Sequence, residues 1–135
     1  MVDKQAIRDI LGRLGWAYDT GNLDYFEAIY TKDARFTVTI AGMGQVGDYR
    51  SIENIMVLYR GSKASQTDQR RHVVSNIFFA DETAASVTAV SYLTLLATKD
   101  GITKTLSAGV YTDKFVLLDG AWRIQHRDLN LDAPY

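Results

Sequence analysis

The sequence has no cysteine and only one proline among its 135 residues. Without cysteine, the chain has no disulfide framework, no thiolate nucleophile and no zinc–thiolate site. A single proline favours long regular helices and strands, and eight tyrosines favour apolar surfaces whose rims are in contact with water.

The sequence also lacks an excess of either charge and any long apolar run. Its 15 basic and 16 acidic residues are interspersed along the chain, for a formal net charge of −1. This balance argues against electrostatic capture of nucleic acid or of a membrane surface. The first residues do not form a signal peptide, and no apolar stretch approaches the length of a membrane span. We therefore expect a cytoplasmic protein with neither nucleic acid nor membrane as a partner.

Sequence motifs for phosphate and metal binding are absent as well. Gly42, Gly44 and Gly47 mark loops, but no G-K-[ST] or G-x-G-x-x-G pattern lies between a strand and a helix. The two histidines do not form an H-x-H or H-E-x-x-H spacing. The sequence therefore predicts neither a metal nor an organic cofactor.

The first half of the chain has the apolar periodicity of helices. Asp3 can cap a helix that ends at Gly21 and has a regular apolar stripe: Ile7, Ile10, Leu11, Leu14, Ala17 and Tyr18. Asn22 begins a second predicted helix, with an apolar face of Leu23, Phe26, Ile29 and Tyr30. A turn at 31–34, a strand at 35–40 and a short extended piece at 45–46 then precede a third helix at 51–60. The polar segment 61–69 is expected to be its exit loop and a candidate lid.

From Arg70 onward the sequence predicts only strands. The alternating runs are 70–79, 85–97, 103–118 and 121–131, with turns at 99–101 and 119–120. Helices followed by long antiparallel strands indicate one α+β domain over residues 1–135. Because a flat sheet of this length would expose two apolar faces, we expect it to bend around the three helices into a cone with an interior.

Polar side chains interrupt one face of the run at 70–79. In an extended strand, His72, Val74, Asn76 and Phe78 point to the same face. An imidazole or amide buried there without a hydrogen bond costs about 1–3 kcal/mol, so His72 needs a partner, and Asp19 is the candidate. Two interpretations stay open: a polar constellation inside a cavity, and a core histidine whose hydrogen bonds are satisfied.

Two glycines share the predicted helix face of Asp19. Gly12 and Gly15 lie beside the apolar stripe, at spacings that bring them to the same side as Asp19. Each costs about 1 kcal/mol relative to alanine within a helix, so we expect another part of the molecule to approach this face closely. That neighbour is either packed backbone or ligand space beneath Asp19.

Three local motifs carry a family resemblance: W-A-Y-D at 16–19, R-H-V-V-S-N at 71–76, and V-Y-T-D-K-F at 110–115 followed by D-G-A-W-R-I at 119–124. Over essentially the whole sequence the chain resembles the SnoaL-like branch of the nuclear transport factor 2-like superfamily. The first two motifs are similar to the segments that supply an Asp–His pair in scytalone dehydratase and hexachlorocyclohexane dehydrochlorinase. The last one, ending in Arg127 and Asp132, resembles the non-catalytic β subunits of ring-hydroxylating dioxygenases.

The resemblance implies which residues form a site. By position, Asp19 and His72 correspond to the acid–base pair, and Tyr18 to a tyrosine that orients a substrate carbonyl or water. Asn76 corresponds to the amide that closes the R-H-x-x-x-N motif. We expect an open pocket between the helices and the concave face of the sheet, with Tyr18 and five further lining residues: Phe36, Met56, Val74, Phe78 and Tyr111.

His126 is the second histidine and a further candidate for substrate binding. Counting along the last strand places it on the same face as Trp122 and Ile124, toward the interior. It is interpreted as a second proton relay or a source of pocket polarity, and alternatively as a core or rim histidine.

Two functions follow from these residues. The first is a cofactor-independent lyase or isomerase acting on a small, largely apolar cyclic or polyketide-like substrate. In it His72 removes a proton, Asp19 orients His72, and the oxyanion accepts a hydrogen bond from Tyr18, Tyr111 or Asn76. The second is a non-catalytic ligand-binding or assembly protein in which the same polar residues satisfy one another. The strand at 85–97 has apolar residues on both faces, which predicts a homodimer, with a trimer as the alternative.

Overall fold

The structure, a computed structural model, describes residues 2–135 and contains three helices and six strands in that range. In chain order they are α1 Lys4–Thr20, α2 Asp24–Ile29, β1 Tyr30–Ile40, β2 Gly44–Arg50, α3 Ile52–Ser65, β3 Gln69–Ala80, β4 Ser86–Lys99, β5 Ile102–Leu118 and β6 Ala121–Leu131. Within that range, no helix is both long and apolar enough to cross a membrane.

Helix α1 has the predicted ends. The Asp3 carboxylate accepts a hydrogen bond from the Ala6 N–H at 3.0 Å, which satisfies a donor that the first turn leaves free. Gly21 ends the helix in the left-handed conformation, with φ at 80°, and its N–H donates to the carbonyls of Ala17 and Tyr18. The predicted apolar stripe is buried.

The predicted boundaries at the start of β1 and at the end of α3 were wrong. Tyr30 and the segment 31–34 belong to β1, because β1 forms a parallel ladder with β6 that starts at Tyr30 and Ile124. Helix α3 begins after a Ser51 cap and continues through 61–65, so the predicted loop 61–69 shrinks to residues 66–68. Gly61 stands on an exposed helix face with no neighbour within 4 Å, where a glycine weakens a helix without ending it.

The strands form one curved mixed sheet in the order β2-β1-β6-β5-β4-β3. Neighbouring strands are antiparallel except β1 and β6, which are parallel. β2 and β3 are the two edges, and the sheet does not close. This is the predicted α+β cone, with the helices against the concave face and the largest buried side chains between them.

Two β-bulges turn predicted site residues away from the interior. In β3 the pairing with β4 shifts between Ser75 and Phe78, and Asn76 adopts a left-handed backbone with φ at 54°. An extra residue in a strand reverses the faces of all residues beyond it. Asn76 and Phe78 are therefore exposed, Phe78 by 56%, while Ile77 and Phe79 pack on the core.

The second bulge lies in β6. The pairing with β5 joins Lys114 to His126 and Phe115 to Ile124, which leaves Gln125 as the extra residue. Ile124 is fully buried in the core, and His126 is thereby turned to the outer face of the sheet. The prediction that His126 shares the interior face with Trp122 and Ile124 was wrong for this reason.

Candidate active site

A cavity of about 640 Å³ lies between the helices and the concave face of the sheet. This volume is in the range of small-molecule sites. Of the predicted lining residues, Tyr18, Phe36, Val74 and Tyr111 form its wall, together with His72. Met56 is instead buried in the core and does not line the cavity. The two bulges turn the other three predicted site residues away from the cavity: Asn76, Phe78 and His126.

Asp19 and His72 form the predicted hydrogen bond. The distance from His72 Nδ1 to Asp19 Oδ1 is 2.7 Å, and the His72 backbone N–H donates to Asp19 Oδ2 at 2.9 Å. Because a carboxylate only accepts hydrogen bonds, Nδ1 carries the hydrogen, and neutral His72 presents a basic Nε2. The Asp19 side chain is 6% exposed and that of His72 is 17% exposed on the cavity wall. The pair is therefore buried on the carboxylate side and open to a ligand on the imidazole side.

Gly15 brings α1 against β3 at the point where this pair forms. A Cβ atom on Gly15 would lie 2.9 Å from the His72 carbonyl oxygen and 3.2 Å from the His72 Cβ atom. The neighbour expected on this helix face is thus packed backbone at Gly15, whereas Gly12 has no neighbour within 4 Å. The Asp19 carbonyl is also held, since it accepts hydrogen bonds from Gln69 Nε2 at 3.0 Å and Lys63 Nζ at 3.3 Å.

Tyr18 packs edge-on against the His72 ring, with ring centroids 4.9 Å apart. Its hydroxyl donates to Gln66 Oε1 at 3.1 Å, and Gln66 Nε2 donates to the Asp68 carbonyl at 3.1 Å. The second bond fixes which end of the amide faces Tyr18. Burial raises the pKa of Tyr18, so the hydroxyl keeps its hydrogen. Toward a ligand, the Tyr18 oxygen is consequently an acceptor unless the ligand displaces Gln66.

Tyr111 and Arg127 supply polar groups to the buried part of the cavity wall. The Arg127 guanidinium lies 3.7 Å from the Tyr111 ring centroid. It also binds Asp113, with Nε to Oδ1 at 3.0 Å and Nη2 to Oδ2 at 3.3 Å. Burial holds the pKa of Tyr111 well above its usual range, and its hydroxyl has no hydrogen-bond partner among residues 2–135. Tyr111 is therefore a free donor facing the cavity. Arg127 is also a wall residue, and the sequence motif that contains it did not predict this position.

Four further wall residues surround the less buried part of the cavity and were not predicted: Gln66, Asp68, Arg70 and Tyr135. Arg70 Nε donates to Asp68 Oδ1 at 2.7 Å, and the Arg70 guanidinium lies 5.4 Å from the Tyr135 ring centroid. Arg70 shares the inward face with His72, while Arg71 is exposed on the other face. The alternation of β3 contained this information, because only one of two adjacent arginines can face inward.

His126 lies in a polar cluster on the outer face. Its Nε2 is 2.9 Å from Thr37 Oγ1, which donates to Asp128 Oδ1 at 2.5 Å. Because the single Thr37 hydrogen is directed to Asp128, His126 Nε2 is the donor in the first contact. Within residues 2–135, no three His, Asp or Glu side chains are arranged to hold a metal ion.

The SnoaL-like domain family matches residues 1–128 of the chain. A search of curated proteins found no match. The fold is similar to that of the β subunit assigned to an aromatic-ring-hydroxylating dioxygenase from Novosphingobium aromaticivorans. That structure has 20% identity and a TM-score of 0.85, and the match covers 97% of this chain and 90% of the other.

Two other solved structures are similar over most of their length. An NTF2-like protein with a cystatin-like fold from Novosphingobium aromaticivorans has 18% identity and a TM-score of 0.78, with 96% of this chain and 81% of the other covered. LinA has 22% identity and a TM-score of 0.79, with 98% and 88% covered. At these identities the likeness shows the fold and leaves the chemistry to the residues of the cavity.

Proposed function

The chain belongs to the family of SnoaL-like domains, and from this premise we propose that it is a cofactor-independent lyase or isomerase. Its substrate is a small, largely apolar cyclic or polyketide-like molecule that fits the cavity. The observation that carries the proposal is the Asp19–His72 hydrogen bond at 2.7 Å, with the other side of the imidazole on the cavity wall. Such a pair is a sufficient general base for a carbon acid.

The proposed reaction begins with proton transfer from carbon to His72 Nε2. In an elimination, the electron pair of the broken C–H bond forms the new C=C bond, and the leaving group departs with the electrons of its own bond. A hydroxide leaving group takes the proton back from the imidazolium as water. In an isomerisation, the same proton returns to another carbon of the enolate. Asp19 stabilises the imidazolium in both cases, and a positioned acid or base of this kind contributes about 10²–10⁴-fold.

Tyr111 is the proposed donor to the developing oxyanion. Its hydroxyl is on the cavity wall and has no acceptor in the described part of the chain, whereas that of Tyr18 is committed to Gln66. The Arg127 guanidinium packs against the Tyr111 ring, and its charge is balanced by Asp113. Tyr18 then serves as an acceptor for a substrate hydroxyl and as a packing surface for His72. Asn76 and His126 drop out of the proposed chemistry.

The experiment measures hydrogen–deuterium exchange at the acidic carbon of a panel of ring ketones in D₂O by NMR. The variants are His72→Ala and Asp19→Asn, and His126→Ala is the matched control because it removes the other histidine, on the outer face. We expect the exchange rate to fall by about 10²–10⁴-fold in the first two variants, with melting temperatures near that of the wild type. His126→Ala retains the wild-type rate.

The opposite pattern would contradict the proposal. If Asp19 and His72 only satisfy each other's hydrogen-bonding groups, both variants leave the exchange rate unchanged. The free energy of unfolding then falls by about 1–3 kcal/mol, because the remaining partner is left buried without a hydrogen bond.

A second candidate function is a non-catalytic assembly protein. Three large apolar side chains are exposed around β3 and β4: Val73, Phe78 and Tyr92. Apolar patches of this kind mark interfaces, and a structurally similar protein is described as a dioxygenase β subunit. In this function the outer face forms a homodimer or trimer, and the wild-type protein exchanges none of the ketones.

A further inference from the structure

Arg70 has hydrogen-bonding capacity directed at the cavity that the protein itself does not use. Its Nε binds Asp68 at 2.7 Å, and both side chains are only 18% exposed. Among residues 2–135, its terminal Nη atoms donate no hydrogen bond. The Tyr135 ring, 5.4 Å from the guanidinium carbon, restricts the side chain from another side. The guanidinium is thus positioned in advance, with two donor groups left for a ligand.

Each guanidinium group on the cavity wall is paired with a carboxylate, so the two arginines differ in the donors that remain free. The wall residues in the described chain include two guanidinium groups, Arg70 and Arg127, and one carboxylate, Asp68. Arg127 is already bidentate with Asp113. Arg70 is held through Nε alone, so its terminal atoms can form the forked pair that guanidinium groups make with carboxylates.

We propose that Arg70 binds a carboxylate of the substrate, so that the substrate class is a ring compound bearing an acid group. Arg70 and His72 are two residues apart on one strand face, which separates their side chains by about 7 Å. The acid group at Arg70 and the proton removed by His72 therefore lie on the same cavity wall, within the span of a fused ring system. The inference rests on the proposed function in that the same cavity holds the substrate.

The test compares acids with their methyl esters. Naphthalene and anthracene carboxylates and the matching esters are titrated into the full chain by calorimetry. The wild type is expected to bind at least one acid about 10–100-fold more tightly than its ester, the range for a hydrogen bond between charged groups. In Arg70→Met the acid loses this advantage, while the dissociation constant of the ester changes by less than about threefold.

Arg71→Met is the matched control, because Arg71 is the adjacent arginine on the exposed face. It removes the same charge and is expected to keep the preference for the acid. Asp68→Asn is a second variant with the opposite sign. It removes the one wall carboxylate, keeps an oxygen acceptor for Arg70 Nε, and is expected to bind the acid a few-fold more tightly than the wild type.

Four results would overturn the inference: no acid binding at millimolar concentration, equal binding of acid and ester by the wild type, a preference that survives in Arg70→Met, and a loss of equal size in Arg71→Met. If Arg70→Met does not fold, Asp68→Asn decides, and unchanged or weaker acid binding rejects the inference.

The result is separable from the proposed function. Acid binding through Arg70 without His72-dependent exchange refutes the reaction alone, and exchange without acid preference refutes the role of Arg70 alone.

Discussion

Replacing Gly15 with alanine tests whether the contact between α1 and β3 holds the Asp19–His72 pair in place. Alanine stabilises a helix interior by about 1 kcal/mol relative to glycine. The added Cβ atom at Gly15 would lie 2.9 Å from the His72 carbonyl oxygen, closer than real Cβ atoms come to other atoms. That neighbour is backbone and cannot rotate away, so the cost is that of an overpacked core, about 1–3 kcal/mol. The net change in the free energy of unfolding is therefore a loss of about 0–2 kcal/mol.

Gly12→Ala is the control on the same helix. Gly12 has no neighbour within 4 Å, so its alanine variant keeps the helix propensity and gains about 0.5–1 kcal/mol. The two variants should differ by about 1–3 kcal/mol in urea unfolding, which exceeds the error of that measurement. The exchange rate of a ring ketone is the second assay. A helix displaced by a few tenths of an ångström lengthens the Asp19–His72 hydrogen bond, and we expect the rate to fall about tenfold or more in Gly15→Ala alone.

Equal stabilisation by both alanines would refute the close contact at Gly15. A destabilised Gly15→Ala protein with the wild-type exchange rate would refute a different step, namely that the helix position controls the geometry of the Asp19–His72 pair.

Two more predictions concern the buried tyrosines and the outer face. Burial raises the pKa of Tyr30, Tyr59 and Tyr111. The folded protein then binds more protons than the unfolded chain above the unfolded pKa of about 10, so stability is complete below that pH and falls as the pH rises. Absorbance at the tyrosinate band should report these three residues only when the protein unfolds, and their ionisation in the folded state would contradict the burial. On the outer face, Tyr92 is 50% exposed and Phe78 56%. We expect a dimer in sedimentation at micromolar concentration and a monomer for Tyr92→Lys, and a wild-type monomer would rule the dimer out.

The sequence was sufficient for the fold because the fold depends on regular spacing, and for the central pair because the motifs at 16–19 and 71–76 resemble those of the SnoaL-like family. The stripe from Ile7 to Tyr18 has the helical period, and the predicted contact between Asp19 and His72 was confirmed at 2.7 Å. Both residues lie before any interruption of their elements. Val74, which precedes the bulge at Asn76, also faces the cavity as predicted.

The errors beyond that point come from single extra residues. Counting by twos along β3 fails from Asn76 onward, and counting along β6 fails from Gln125 onward, because a bulge reverses the faces that follow. Asparagine adopts a left-handed backbone more easily than most residues, which is a weak signal for the first bulge, whereas Gln125 carries no such signal. The sequence pattern also cannot place Met56. A helix residue in the core and a helix residue that lines the cavity are both buried and have the same helical spacing.

The position of β3 at the free end of the sheet gives His72 a second partner. His72 is paired with Leu95 of β4. Its backbone N–H points away from β4 and donates to Asp19 Oδ2 at 2.9 Å. Had a seventh strand added here, that N–H would belong to a ladder, and one carboxylate oxygen of Asp19 would lose its donor. Helix α1 thus occupies the place of a neighbouring strand and blocks edge-to-edge pairing at this residue. A chain that annealed to this part of β3 would have to displace Asp19, so aggregation along this edge and loss of the Asp19–His72 hydrogen bonds are the same event.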